Sequence, residues 1–485
     1  MLQTTHKSAS FLPRVFTNES GYTLFLVIEM ITILAILFTI ALTDIQMVRI
    51  QAIREIQRVQ AHLLAESGIE KAESFLNGNK GLFWESNGDI DSIPLYGTVT
   101  AAAHRFGLYT DIIGIGTRVR TTGTITAIAG RTLPDLCKPV LTLHGKVGGL
   151  ALMPGSNIKG TVVLSHGRIC KGETTQEVRE TGLAVERRES TTLPFDSSQA
   201  TGTVLRLAHE QAAACSVKTA IQNQIVLVSE KDSVCRQDTI VVNGNCRIEK
   251  GSYYNKKIIT SGTVILSGDA KCVLCAFLAK QVVVENGKSD YCLFYSSKKC
   301  SISGGKHNSQ FISSDTIVIG SSAEFGPMSL WMLWRQGVAD STAAIYIASN
   351  AVVNGTIICC SDTLARRSAR VPSIVFGKGC RLNGVCMSDG DIDMNGAEIK
   401  GHLWVRSIVT SNNRKGYINY LFNVQIEEPA VDGIFPLIGT APAQVIVDPI
   451  ATAYSVRKRK SQNKVPDTVS SVDSISAKKP GGVSQ

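Results

Sequence analysis

No proline lies between Pro13 and Pro94. Because proline breaks or kinks a helix, its absence leaves that stretch free to run as one helix. No glycine-rich phosphate loop is present, which argues against an ATP-driven role. The eight histidines are scattered, and neither His166 nor His402 has a Cys, Asp or Glu at a spacing that makes a ligand set or triad. The pair Cys272 and Cys275 has no second C-x-x-C at finger spacing, which disfavours zinc. No cofactor is implied. What remains is a chain of 485 residues, 44% of them hydrophobic, enough for more than one domain with sizeable cores.

Residues Gly21 to Leu42 form an apolar run with one acid in it, Glu29, behind a leader carrying Lys7 and Arg14. Tyr22 to Leu42 spans 21 residues, close to the roughly 20 that cross a hydrocarbon core at about 1.5 Å each. No small-x-small cleavage site follows, so the expectation is an uncleaved, single-pass inner-membrane anchor with the bulk of the chain outside the cytoplasm. Ile45, Val48, Ile53, Ile56, Val59, Leu63, Ile69 and Ala72 recur at helical spacing among charged residues. That pattern predicts one helix from Tyr22 to about Leu76, stopped by Asn77-Gly78-Asn79. A coiled-coil stalk would show the same spacing.

The segment Asn18-Glu19-Ser20-Gly21-Tyr22-Thr23-Leu24 resembles the processing site of type IV prepilins and pseudopilins. The resemblance implies cleavage after Gly21 by a prepilin peptidase and methylation of Tyr22 as the first mature residue. It departs from the family at the fifth mature position, where the usual glutamate is Leu26. Glu29 lies about one helical turn further on, near the same face. Subunits without the family glutamate are often minor, tip-located ones. Ala65 to Ala72 also looks like the helix of large minor pilins, with a small-residue break at Gly68.

Beyond the helix, Gly97 to Ala103, Gly107 to Ile115 and Val119 to Ile128 are Thr-, Val- and Ile-rich and separated by glycines, as in an antiparallel meander. From Leu143 the chain repeats itself. Leu150 to Gly160, Ile317 to Gly326, Ile345 to Gly355 and Ile374 to Gly384 each present an alternating apolar triplet, a small-residue turn, an apolar residue and a glycine. Weaker versions begin near Val264, Val282 and Ile302, and Ile392 starts a shorter final turn. Such a period indicates stacked rungs, and a right-handed parallel β-helix is expected, with a β-sandwich as the alternative. The fold class is therefore an α+β pilin-like unit followed by an all-β domain. The expected divisions are a leader 1–21, helix 22–76, meander 77–142, repeat domain 143–428, and linker with basic tail 429–485.

Candidate sites are few. Asp389, Asp391 and Asp393 alternate on a strand, so three carboxylates on one face would suit calcium or acid–base work on a sugar. Trp331 and Trp334 fall in an expected inserted loop, Met328 to Ser341, where rings could stack on a glycan. A second insertion is expected at Lys171 to Ser198. Cys272 and Cys275 are expected on opposite faces of a strand, as are Cys359 and Cys360, all as buried filler. The tail from Ala451 carries seven Lys or Arg against two Asp, a possible polyanion contact.

The expectation is a non-enzymatic minor-pilin-like subunit that displays its β domain on a bacterial type IV pilus or secretion filament. Its partners would be other pilin subunits, the peptidase and the membrane. The rivals are a static envelope anchor and an anchored polysaccharide-active enzyme.

Overall fold

A computed structural model describes residues 19–78, 97–119, 121–131, 133–145, 148–172, 182–188, 197–216, 221–222, 224–227, 236–335, 344–361, 372–394, 396–412, 415–429 and 443–447. The leader before residue 19 and the basic tail after residue 447 lie outside them. Helix α1, Glu19–Gly78, runs for 60 residues, about 90 Å at about 1.5 Å per residue. It passes through Gly68 without a break, because no proline interrupts its hydrogen bonds, and it ends at the expected stop.

Three antiparallel strands follow, β1 (Thr98–Phe106), β2 (Tyr109–Arg118) and β3 (Thr121–Arg131). One stripe of α1, Ala61, Leu64, Ala65, Ile69 and Ala72, is buried, and Ile112, Ile125, Ala127 and Ala129 of the sheet share its core. Small residues let the two backbones nearly touch. A Cβ on Gly114 would lie 2.3 Å from the Ala65 carbonyl oxygen, and one on Gly116 would lie 2.1 Å from that of Ala61. The sheet has a fourth member. Ala443–Val447 pairs antiparallel with Ala127–Arg131 of β3, so part of the expected linker completes this small sheet, which with the packed half of α1 forms the head, and the strand-rich domain is inserted between two strands of that sheet.

In that large domain the repeats stack as the spacing predicts. Ile317 pairs with Ile345, and Ile345 with Ile374, in parallel register. The column extends back through Cys300, Val282, Val264, Cys246 and Ile225, and forward to Ile392. A sandwich built of meanders would pair antiparallel instead. Alternation turns these side chains inward, where each successive strand buries what its neighbour cannot. Phe277, Phe294, Phe311 and Trp331 form a ring stack within the same core, with centroids 4.7, 4.9 and 6.3 Å apart.

The order of rungs departs from chain order. Leu403–Val405 pairs with Leu141–Leu143, which pairs with Val162–Leu164, and Val162 in turn pairs with Val185. The turn at Ile392 is therefore not final, since Leu141–Leu143, Gly160–Leu164 and Leu183–Arg187 stack beyond it. The chain must then return to the opposite end of the stack, where Ile225 pairs with Cys246. Helix α2, Ser197–Cys215, lies on that return path and packs across several successive rungs. This helix is a correction to the expected all-β domain.

One sheet of the stack is buried on both faces. Ile259, Leu278 and Tyr295 form an outward column, continued by Ile312, Met332, Ile358, Met387 and Trp404. All of them are buried, in one cluster with Val204 and Leu207 of α2 and with Leu108, Tyr109, Ile128, Leu133 and Cys137 of the head side. Strands covered on both faces read as continuous apolar runs, which is why Leu330-Trp331-Met332-Leu333-Trp334 shows no alternation. Gln310 ties the β1–β2 turn down. Its Nε2 donates to the Phe106 carbonyl at 3.0 Å and its Oε1 accepts from the Leu108 N–H at 2.8 Å. Replacing Gln310 with Ala strands both backbone groups, an expected loss of about 1–3 kcal/mol, to be read as a lower urea midpoint for the full chain in detergent.

Candidate functional site

The first half of α1 is the largest uncovered apolar surface among the described residues. From Tyr22 to Leu42 its fifteen large apolar side chains are 42–65% exposed. Fully burying such a side chain is worth about 1.5–3 kcal/mol, so leaving fifteen half-exposed costs on the order of 10 kcal/mol or more. The helix has one apolar 18-residue window that meets the length and composition needed to cross a membrane, and none of that window is buried. Its polar groups suit an apolar setting. Thr32, Thr39 and Thr43 donate their hydroxyls to the carbonyls of Ile28, Ala35 and Thr39 at 2.7–2.8 Å, which satisfies these three within the helix.

Glu29 is exposed within this segment, on the same side of the helix as Leu26, one turn earlier. Gly21 and Tyr22 lie in the first turn, and Tyr22 is exposed. Arg49, Arg54 and Arg58 begin the polar half. There the Arg58–Glu55 pair at 3.3 Å is exposed and contributes little.

The other expected sites are placed differently. Trp331 and Trp334 are not on a loop. Both lie in the strand Leu330–Arg335 with no exposure, Trp331 in the inner core and Trp334 in the outer cluster, so neither can stack on a glycan. The rest of that expected loop, 336–341, lies outside the described residues, as does most of Lys171 to Ser198. Asp391 and Asp393 flank the inward Ile392, and a register shift lies between Ser388 and Asp391. Asp391 is buried and accepts two hydrogen bonds from Arg406, at 2.9 Å each, and one from the Ser407 hydroxyl. The carboxylate and Coulomb field of Asp391 hold the Arg406 guanidinium above its usual range against the opposing effect of burial. No group of three His, Cys, Asp or Glu among the described residues could hold a metal ion, so the calcium expectation finds no geometry here.

Close by, His144 stacks on Trp404 with centroids 3.9 Å apart, its Nε2 3.2 Å from the Ser388 carbonyl. Burial pushes its imidazole down to about 4, so it is neutral at pH 7. Cys359 and Cys360 do face opposite ways, inner and outer. Cys272 and Cys275 do not: both are in the inner core, because Leu274 between them has φ of 54° and turns a corner.

No family model matches the chain. No curated protein matches it either. Among solved structures it is similar to the competence-associated pilin ComZ from Thermus thermophilus, at 11% identity over 80% of this chain and 96% of that one, with a TM-score of 0.19. It is also similar to an ice-binding protein from an Antarctic bacterium of the Flavobacteriaceae, at 9% identity over 63% of this chain and all of that one, with a TM-score of 0.10. At such scores neither likeness carries an argument, and the functional reading rests on the chain's own geometry.

Sequence reasoning missed three positioning features: the strand Ala443–Val447, helix α2 and the Gln310 tie. The run Val445-Ile446-Val447 is a strand signal in itself. Nothing local marks Gln310, whose two partners lie more than 200 residues away.

Proposed function

We propose that the chain is a non-enzymatic, pilin-like subunit of a bacterial type IV filament, cleaved after Gly21, methylated at Tyr22, and displaying its strand domain as an inserted parallel β-helix. One observation carries the reading. The helix presents an apolar half with no cover among the described residues, while its other half is packed onto a small sheet that holds the large domain. Such a helix needs lipid before assembly and the equivalent helices of other subunits after it. A bulky inserted domain fits a tip position better than every layer of a filament. The partners in this reading are the membrane, the peptidase and other subunits.

The test is the mature N-terminus. Mass spectrometry of the chain from its native membrane is expected to give N-methylated Tyr22. Gly21→Leu is expected to retain residues 1–21 while still inserting, since the apolar run is untouched. An unprocessed wild type, differing in mass from the variant only by the Gly-to-Leu substitution, would leave the static envelope anchor as the better reading.

A further inference from the structure

The corner that brings Cys272 and Cys275 inward also sets them beneath Cys292. Ala276 pairs with Leu293, and the Leu293 N–H donates to the Cys275 carbonyl at 2.8 Å. Cys275 and Cys292 therefore occupy the same position in successive rungs. Neighbouring strands lie about 4.8 Å apart, within the roughly 4.4–6.8 Å between Cα atoms that a disulfide spans. The Cys275 thiol is in side-chain hydrogen-bond contact with both Cys272 and Cys292, and all three residues are fully buried. Its sulfur also lies 3.4 Å from the Tyr253 and Val273 carbonyls. The trio is not a metal site.

We infer that Cys275 is the centre of a disulfide site, bonding to Cys292 of the next rung, with Cys272 as a third thiol able to exchange into that bond. The inference draws on the proposed function only for an oxidising, extracytoplasmic setting. In the step, the Cys275 thiolate attacks one sulfur of a small disulfide such as oxidised glutathione and releases one thiolate. The Cys292 thiolate then attacks the Cys275 sulfur of the mixed disulfide and releases the second. The two thiol protons end on the two glutathione molecules formed, and the two electrons lost by the cysteines reduce the co-reactant. Cys275 is suited to attack first. Burial opposes its ionisation, but hydrogen bonds with the Cys272 and Cys292 thiols and with the backbone at Lys256 and Val273 together hold it below the usual thiol range.

The full chain in detergent is held in a glutathione redox buffer with urea below the unfolding midpoint, quenched with N-ethylmaleimide, digested and weighed. The expected product is a peptide pair joined through Cys275 and Cys292 and lighter by two hydrogens, with a melting temperature several degrees above the reduced chain. In Cys292→Ser the bond is expected to move to Cys272, and in Cys275→Ser the trio gives no bond. Cys300, buried in another column, should be alkylated throughout. If Cys275→Ser fails to fold, the wild type and Cys292→Ser still decide the matter. Recovery of all three thiols alkylated, or of Cys275 bonded outside the trio, overturns the inference. The mature N-terminal mass is unaffected either way, so this failure is separable from failure of the functional reading.

Discussion

Ile345→Asp is expected to unfold the strand domain as a unit. Ile345 has no exposure and sits between Ile317 and Ile374 in the inner column. A carboxylate there would have no partner, so the expected loss is above about 4 kcal/mol, within the range reserved for buried unpaired charge. Urea titration followed by far-ultraviolet circular dichroism on the full chain reads it as a collapse of the β signal at low denaturant. Tyr346→Asp is the matched control. Tyr346 is the next residue and points outward at 39% exposure, so its cost should stay under about 1 kcal/mol. Equal effects from the two substitutions would contradict the inward alternation.

Gly116→Val is expected to lift α1 off the head. The backbone at Gly116 is ordinary strand, so space is the obstacle. The added Cβ would lie 2.1 Å from the Ala61 carbonyl oxygen, 2.5 Å from the Ala65 nitrogen and 2.6 Å from the Leu64 Cβ. The first two are helix backbone and cannot rotate away. Separating helix and sheet exposes the stripe Ala61, Ala65, Ile69 and Ala72 along with its partners in β2 and β3, a loss of several kcal/mol, on the order of 3–5. Hydrogen exchange should show the amides from Ala61 to Ala72 losing protection while those of the inner column keep theirs. Unchanged protection of the helix would mean that the contact is looser than the geometry states.

Local signals were readable where one residue's neighbours in sequence also decide its environment. The proline-free run made α1 legible to its last turn, and the alternating triplets at Ile317, Ile345 and Ile374 revealed the register of strands paired 28 and 29 residues apart. Two expectations differ from the structure, each for its own physical reason. Variable rung length suggests a loop at Trp331 and Trp334, whereas they lie in a strand whose outer face α2 and the head cover. Strand alternation sets Cys272 and Cys275 on opposite faces, but a left-handed Leu274, which its residue type does not announce, turns a corner between them.

The sequence by itself determined the long helix, its charge-poor first half and the stacking repeat, since each depends on periodicity along a single segment. Only the tertiary structure decided which rung follows which, that Ala443–Val447 closes the head, and that Gln310 joins head to stack. Those pairings link residues hundreds of positions apart. They are selected by the burial of one sheet's two faces and by the hydrogen bonds left to satisfy there, and neither quantity is written in any local stretch of chain.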